Sequence, residues 1–228
     1  MKSRGLGPMA ALPLLLAGCG GRMPPAAASA AVSPAKPVTV PDAPAWRAVA
    51  MPLDVPRIQA LPEALARARA AVPKRLATRL SAQGAVVDPG AAQLMPQMPP
   101  GSYYCRLVRF GGVGRFRAFP PDFCYVDVSP QGMSFTKQTG TTLPEGYFHP
   151  DTDRRLVFLG TSRTIGEKRG RAYGQDPATD QVGIVERVAP FRWRLLLGRP
   201  GQGATLDMYE LVPVPTRVQG ARPAIQPG

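Results

Sequence analysis

The placement of the aromatic residues constrains this chain more than any other feature. Trp46 is the only aromatic before Tyr103, and all the others lie between Tyr103 and Tyr209. A core is built from large apolar side chains, so it belongs to the second half of the chain. Proline and glycine number 28 and 24 of the 228 residues, enough to leave a segment without a core disordered. The length fits one ordinary domain with tails.

Within the aromatic half the apolar period is two. In Phe191-Arg192-Trp193-Arg194-Leu195 the apolar side chains take one face and the arginines the other. Strands are predicted over 102–110, 122–128, 133–139, 154–159, 181–189, 191–198 and 205–212. Val182, Ile184 and Val188, with Val185 opposite, predict one strand covered on both faces. Turn residues separate the segments: Gly111-Gly112, Pro130-Gln131-Gly132, Ala189-Pro190 and Pro200-Gly201-Gln202-Gly203. Seven or eight short strands joined by tight turns predict a mainly β domain over 101–212. The expected form is a small antiparallel barrel, which removes exposed edges, with a sandwich as the other arrangement.

One or two short helices are expected before the strands, in a Pro-interrupted segment over 45–100. Ile58, Leu61, Leu65, Ala68, Val72, Leu76 and Leu80 recur three or four apart. Pro62 and Pro73 suit first helical positions, so helices are predicted at 62–71 and 73–82, with Gly84 ending the second. Arg67, Arg69, Lys74, Arg75 and Arg79 are read as the solvated face of helices packed on the main domain. The alternative is a basic helix pair lying on an anionic envelope surface.

The N-terminus resembles a secretion leader over 1–18. Lys2 and Arg4 make a positive start, and Leu6 to Leu16 is an apolar run far short of the roughly 20 residues of a transmembrane helix. Leu16-Ala17-Gly18-Cys19 then matches a lipobox, in which the Cys19 thiol receives a diacylglyceryl group and the freed amine a further acyl chain. Each buried CH₂ of such chains contributes about 0.8 kcal/mol, so the expected partner is a membrane held through Cys19. Gly20 in place of Asp favours the outer membrane, at its periplasmic face. An Ala/Pro-rich tether is expected over 19–44 and a disordered tail over 213–228.

Cys105 and Cys124 are equidistant from the glycines near Gly114, so a simple hairpin sets them opposite each other. In an oxidising compartment that spacing reads as a disulfide. A metal site is not expected, since one His and two Cys are left for it, and no cofactor motif is present. Nucleic acid is not an expected partner despite a net charge of +13, because no motif of that class accompanies it. The charge suits anionic lipid or envelope polymer.

Catalytic constellations are weak. His149 is the single histidine and falls in a Pro-flanked loop, with Ser134, Ser162 and Asp153 as conceivable partners. Gly111-Gly112-Val113-Gly114-Arg115 lacks the Lys-Ser/Thr of a phosphate loop and reads as a hairpin turn. Glu145, Asp151 and Asp153 offer paired carboxylates of the kind glycoside hydrolysis uses, but loop carboxylates are common, and Asp151 and Asp153 followed by Arg154-Arg155 read as local ion pairs. Asp180, Gln181, Glu186 and Arg187 form either a binding site or a buried polar network, with Arg187 the partner at hand. No catalytic residues are nominated.

Several stretches resemble a bacterial family of secreted proteins, domain of unknown function 4893. They are Tyr103-Tyr104-Cys105-Arg106, Phe123-Cys124, Thr139-Gly140, Leu156 to Gly160, Tyr173-Gly174, Asp180 to Arg187, Phe191 to Leu195 and Leu206 to Leu211. The resemblance covers about 101–212, extends weakly over the preceding helices, and implies architecture and compartment but no activity. The expected function is a lipid-anchored periplasmic binding or structural module. Its rivals are a lipocalin-like carrier of a small apolar ligand and a protease-inhibitor-like barrel.

Overall fold

In the computed structural model the described residues are 44–167, 171–198 and 204–215. They fall in one compact unit, Pro41–Gly228. The leader, Cys19, the tether up to residue 43, the turn at 200–203 and the tail from 216 lie outside the described residues.

Among the described residues, eight antiparallel strands close into a barrel: β1 Gly101–Gly111, β2 Phe116–Ser129, β3 Gly132–Lys137, β4 Thr142–Thr152, β5 Arg155–Thr164, β6 Asp180–Ala189, β7 Arg192–Leu197 and β8 Ala204–Pro213. Each strand pairs with its sequence neighbours, and β8 returns to β1 with Cys105 opposite Leu211 and Phe110 opposite Leu206. Of the two forms expected, the barrel is the one found. Closure leaves no long open edge.

β4 occupies a stretch expected to be loop, and β2 begins six residues earlier than the expected 122. Pro144 and Pro150, and in β2 Pro120 and Pro121, argued against strand. The short β3 explains why they are tolerated. It pairs only with Glu145–Phe148 of β4 and with Cys124–Ser129 of β2. All four prolines therefore lie beyond the ladder with β3, and on that side a missing N–H removes no bond.

Alternation sorts the strand residues into two cores. Inward, Tyr103, Cys105, Phe135, Phe158, Trp193, Leu195 and Leu211 fill the barrel. Phe158 packs edge-on to Phe135 and Phe148, and Tyr103 edge-on to Trp193. The chain just before β1 plugs one end. Met98 is 1% exposed, the Trp193 indole donates to the Pro96 carbonyl at 3.0 Å, and the Tyr103 hydroxyl donates to the Pro99 carbonyl.

Outward, Val108, Phe110, Val182, Ile184, Leu196 and Met208 form a second core under a helical strap. The strap comprises α1 Trp46–Val49, α2 Asp54–Gln59, α3 Leu61–Ala70, a 3-10 turn at Lys74–Leu76, α4 Ala77–Ser81 and two further 3-10 turns up to Ala91. In α3, Leu61, Leu65 and Ala68 face the barrel, Pro62 stands in the first turn, and Glu63 pairs with Arg67 at 3.0 Å. The second expected helix is shorter than predicted. Pro73 takes an extended conformation, and only Ala77–Ser81 is α-helical, ahead of Gly84 at φ +58°. α1 and α2 went unpredicted, being too short to show a period. Because the strap covers β6, β7, β8 and β1, β6 is buried on both faces, as its apolar run implied.

Cys105 and Cys124 form the expected disulfide inside the barrel, with Cα atoms 5.8 Å apart. They are diagonal neighbours and not directly opposite: Cys105 faces Asp122 and Cys124 faces Tyr103. The register is shifted by two residues from the symmetric hairpin. A shift of two preserves the face, so both sulfurs still point inward.

Candidate functional site

The four polar residues nominated on β6 do not converge, because neighbours along a strand point to opposite faces. Asp180 lies on the outer wall and accepts a hydrogen bond from the Gly174 N–H at 3.0 Å. That contact holds the β5–β6 loop, whose Tyr173 hydroxyl donates to Asp54 of α2 at 2.7 Å. Gln181 is buried on the inward face, opposite Gly160. Arg187 also faces inward, and its Nε is buried without a hydrogen-bond partner. Glu186 faces outward and is held by Arg194, not by Arg187, at 2.8 Å from Nε.

Glu186 is one member of a cross-strand row of alternating charge. Arg155, Glu186, Arg194, Glu210 and Arg106 stand in register on β5, β6, β7, β8 and β1. Arg194 is 1% exposed and donates to the Val86 and Asp88 carbonyls of the strap at 3.1 and 2.5 Å. Arg106 holds Glu210 at 2.7 Å through Nε and donates to the Gln83 side chain at 2.7 Å. Arg155 pairs with Asp151 at 2.5 Å, and Asp151 accepts from the Trp46 indole at 2.7 Å. The row clamps the strap to the barrel. Asp151 and Arg155 make the local pair foreseen, although Asp151 lies on β4 and not in a loop.

His149 sits half-buried on the outer face of β4, opposite Val157. Burial lowers its pKa from the ordinary 6.5. Ser162 lies at the level of Pro144, on the inward face. His149 and Ser162 thus stand on opposite faces of the sheet, and among the described residues no hydrogen bond joins His149 to Ser134, Ser162 or Asp153.

A recess opens at the end of the barrel opposite Met98. It is a cleft of about 460 Å³ lined by Leu107, Arg109, Phe119, Asp122, Lys137 and Tyr209, with glycine, proline and threonine at the rim. Two ion pairs flank the tyrosine. Arg109 grips Asp207 through Nε and Nη2 at 2.7 and 2.6 Å, a side-on fork geometry. Lys137, 3% exposed, meets Asp122 at 2.7 Å and lies 5.7 Å over the Tyr209 ring. The hydrogen bond to Asp207 raises the Arg109 pKa, and burial with Asp207 and Asp122 nearby keeps the Tyr209 phenol protonated well above its ordinary 10. Thr139-Gly140 folds round the second pair: Thr139 donates to Asp122 at 3.2 Å, and its carbonyl accepts from Lys137. Gly140, at φ +88°, has no room for a Cβ, which would strike Asp122 and Lys137.

Sequence reading missed this site, yet a signal was present. Arg109, Asp122, Lys137 and Asp207 each keep the inward phase of their strands, set by Cys105, Cys124, Phe135 and Tyr209. A charged residue in the core phase at a strand end marks a polar mouth. Such a cleft fixes and orients a polar group by preset hydrogen bonds. Among the described residues no cluster of three or more His, Cys, Asp or Glu is placed to hold a metal ion.

A family model described as Domain of unknown function (DUF4893) matches residues 46–211. The match takes in the whole strap as well as the barrel, more than the 101–212 that the motifs covered well. No curated protein and no solved structure matches the chain.

Proposed function

For a chain that belongs to the DUF4893 family, whose description names no activity, we propose a function from the barrel itself. It is a rigid binding module of the bacterial envelope, tethered by lipid at Cys19 on the periplasmic side of the outer membrane. It takes its ligand at the open end of the barrel. The observation that carries this reading is the contrast between interior and mouth. Inside, Phe135, Phe158, Leu195 and Leu211 are each fully buried, and Met98 stops the far end. An apolar carrier needs an empty apolar cavity, and the ring contacts leave this one filled. At the mouth, the cleft of about 460 Å³ is polar and carries two ion pairs, Arg109–Asp207 and Lys137–Asp122.

The test places a photo-crosslinking amino acid at Thr142, on the rim of the cleft, or at Val128, exposed at the opposite end. Irradiated cells producing the full chain are expected to yield a discrete adduct from the Thr142 variant alone. Adducts of equal strength from both positions, or from neither, would exclude the mouth as the binding end. A fluorescent fatty acid is expected to show no saturable binding to the wild type. Saturable binding would restore the carrier.

A further inference from the structure

We infer that the mouth cleft binds a compact ligand through a single carboxylate, received by the Arg117 guanidinium and the Tyr209 hydroxyl. This rests on the mouth being the binding end, and it names the chemistry taken there. The short β3 makes the opening. Beyond it, residues 116–121 of β2 pair with β1 alone and residues 142–144 of β4 with β5 alone. The cleft between them is lined by Arg117, Phe119, Gly140 and Thr142, and by Arg109 and Tyr209 from β1 and β8.

Charge decides what the cleft takes. Arg109 stands directly opposite Arg117 in the β1–β2 register, and like charges so placed repel. Asp207 neutralises Arg109, and Asp122 neutralises Lys137. Among the described residues no carboxylate pairs with Arg117 and no hydrogen bond occupies its N–H groups. Its guanidinium lies 4.9 Å over the Phe119 ring, which restricts the side chain and leaves those donors to the cleft. Tyr209 supplies the second donor. It is 3% exposed, yet among the described residues its hydroxyl has no hydrogen-bond partner, and it lines the cleft. Burial, with Asp207 and Asp122 nearby, keeps the phenol protonated, so it offers a hydrogen to an acceptor. One uncompensated cation and one neutral donor match one negative charge. A carboxylate meets both on its two oxygens, whereas a phosphate dianion leaves a charge unpaired and a cation is repelled by Arg117. The apolar lining is confined to side chains such as Leu107 and Phe119, too little to cover a long alkyl chain.

Calorimetric titration of the full chain in neutral detergent tests it with two pairs of probes. Benzoate is set against benzamide, and N-acetylalanine against N-acetylalaninamide. Saturable binding of at least one acid, and of neither amide, is expected. Preference for benzoate identifies a small free acid as the source, and preference for N-acetylalanine the carboxyl end of a peptide. Arg117→Gln and Tyr209→Phe are each expected to weaken binding about tenfold, the loss of one hydrogen bond to a charged group. Arg117 is exposed, so its variant tests the site without touching the core. Arg154→Ala, at the β4–β5 turn on the opposite end of the barrel, is expected to change nothing. In a chain labelled with carbon-13 at tyrosine Cζ, the resonance missing from Tyr209→Phe is expected to shift when the acid is added. No saturable binding of either acid overturns the inference, as does equal binding of acid and amide, or phenyl phosphate bound more tightly than benzoate. A Thr142 adduct that forms unchanged with Arg117→Gln and with Tyr209→Phe also overturns it and leaves the mouth as the binding end, so the two readings fail separately.

Discussion

Arg194 shows what one residue does here. Its guanidinium is buried between the barrel wall and the strap, where it neutralises Glu186 and satisfies two strap carbonyls at once. Removing one partner of a buried ion pair leaves the other as an uncompensated charge, which costs about 3–5 kcal/mol. Arg194→Met is therefore expected to lower the unfolding free energy, measured by urea denaturation, by that order. Glu186→Leu combined with Arg194→Met is expected to regain much of it, since no charge then remains buried. A double variant no more stable than the single would show that Arg194 acts chiefly through the strap carbonyls. The sequence grouped Glu186 with Asp180, Gln181 and Arg187 as either a binding site or a buried polar network, and in the structure its ion pair is with Arg194. It offered Arg187 as the partner because Arg187 is adjacent. Adjacent strand residues face opposite ways, so the partner had to come from the next strand.

At the scale of elements, β4 and β5 are joined through a pair of facing glycines. Gly146 stands opposite Gly160, and a Cβ on Gly146 would strike the Leu159 carbonyl and the Gly160 Cα. Two backbones this close leave no space for side chains, which lets the wall bend beside the Phe158 ring. Gly146→Ala is expected to destabilise by about 1–3 kcal/mol or more, as overpacking against backbone does. Gly90→Ala, whose Cβ would meet Asp88 at an ordinary 3.6 Å, is the tolerated comparison. Equal thermal midpoints for the two variants would contradict the close approach. The strap belongs to this scale as well. Its apolar period was legible at Leu61, Leu65 and Ala68, but its course along four strands was not. Local spacing gives a helix its apolar face and says nothing about which surface that face will meet.

For the whole molecule, the proposed function puts ligand binding at the mouth of the barrel, and the lipid anchor expected at Cys19 would hold that surface near a membrane. Metabolic labelling with an alkynyl fatty acid is expected to tag the wild-type chain and miss Cys19→Ala. Equal labelling of both would leave the chain unanchored at that residue. The sequence by itself determined the class of fold, the pairing of Cys105 with Cys124 and the two-sided burial of β6. The first and last follow from the parity of side chains along a strand, which is a local property of the backbone, and the pairing from spacing about a turn. It also carried the family, through motifs such as Thr139-Gly140 whose role is local. The tertiary structure alone decided which charges meet. Closing β8 onto β1 brings Arg109 to Asp207 and Arg106 to Glu210, residues about a hundred positions apart. Wrapping the strap back over the wall brings the Val86 and Asp88 carbonyls to Arg194. Such encounters depend on how the sheet closes and where the strap lies, and no periodicity within either segment encodes them.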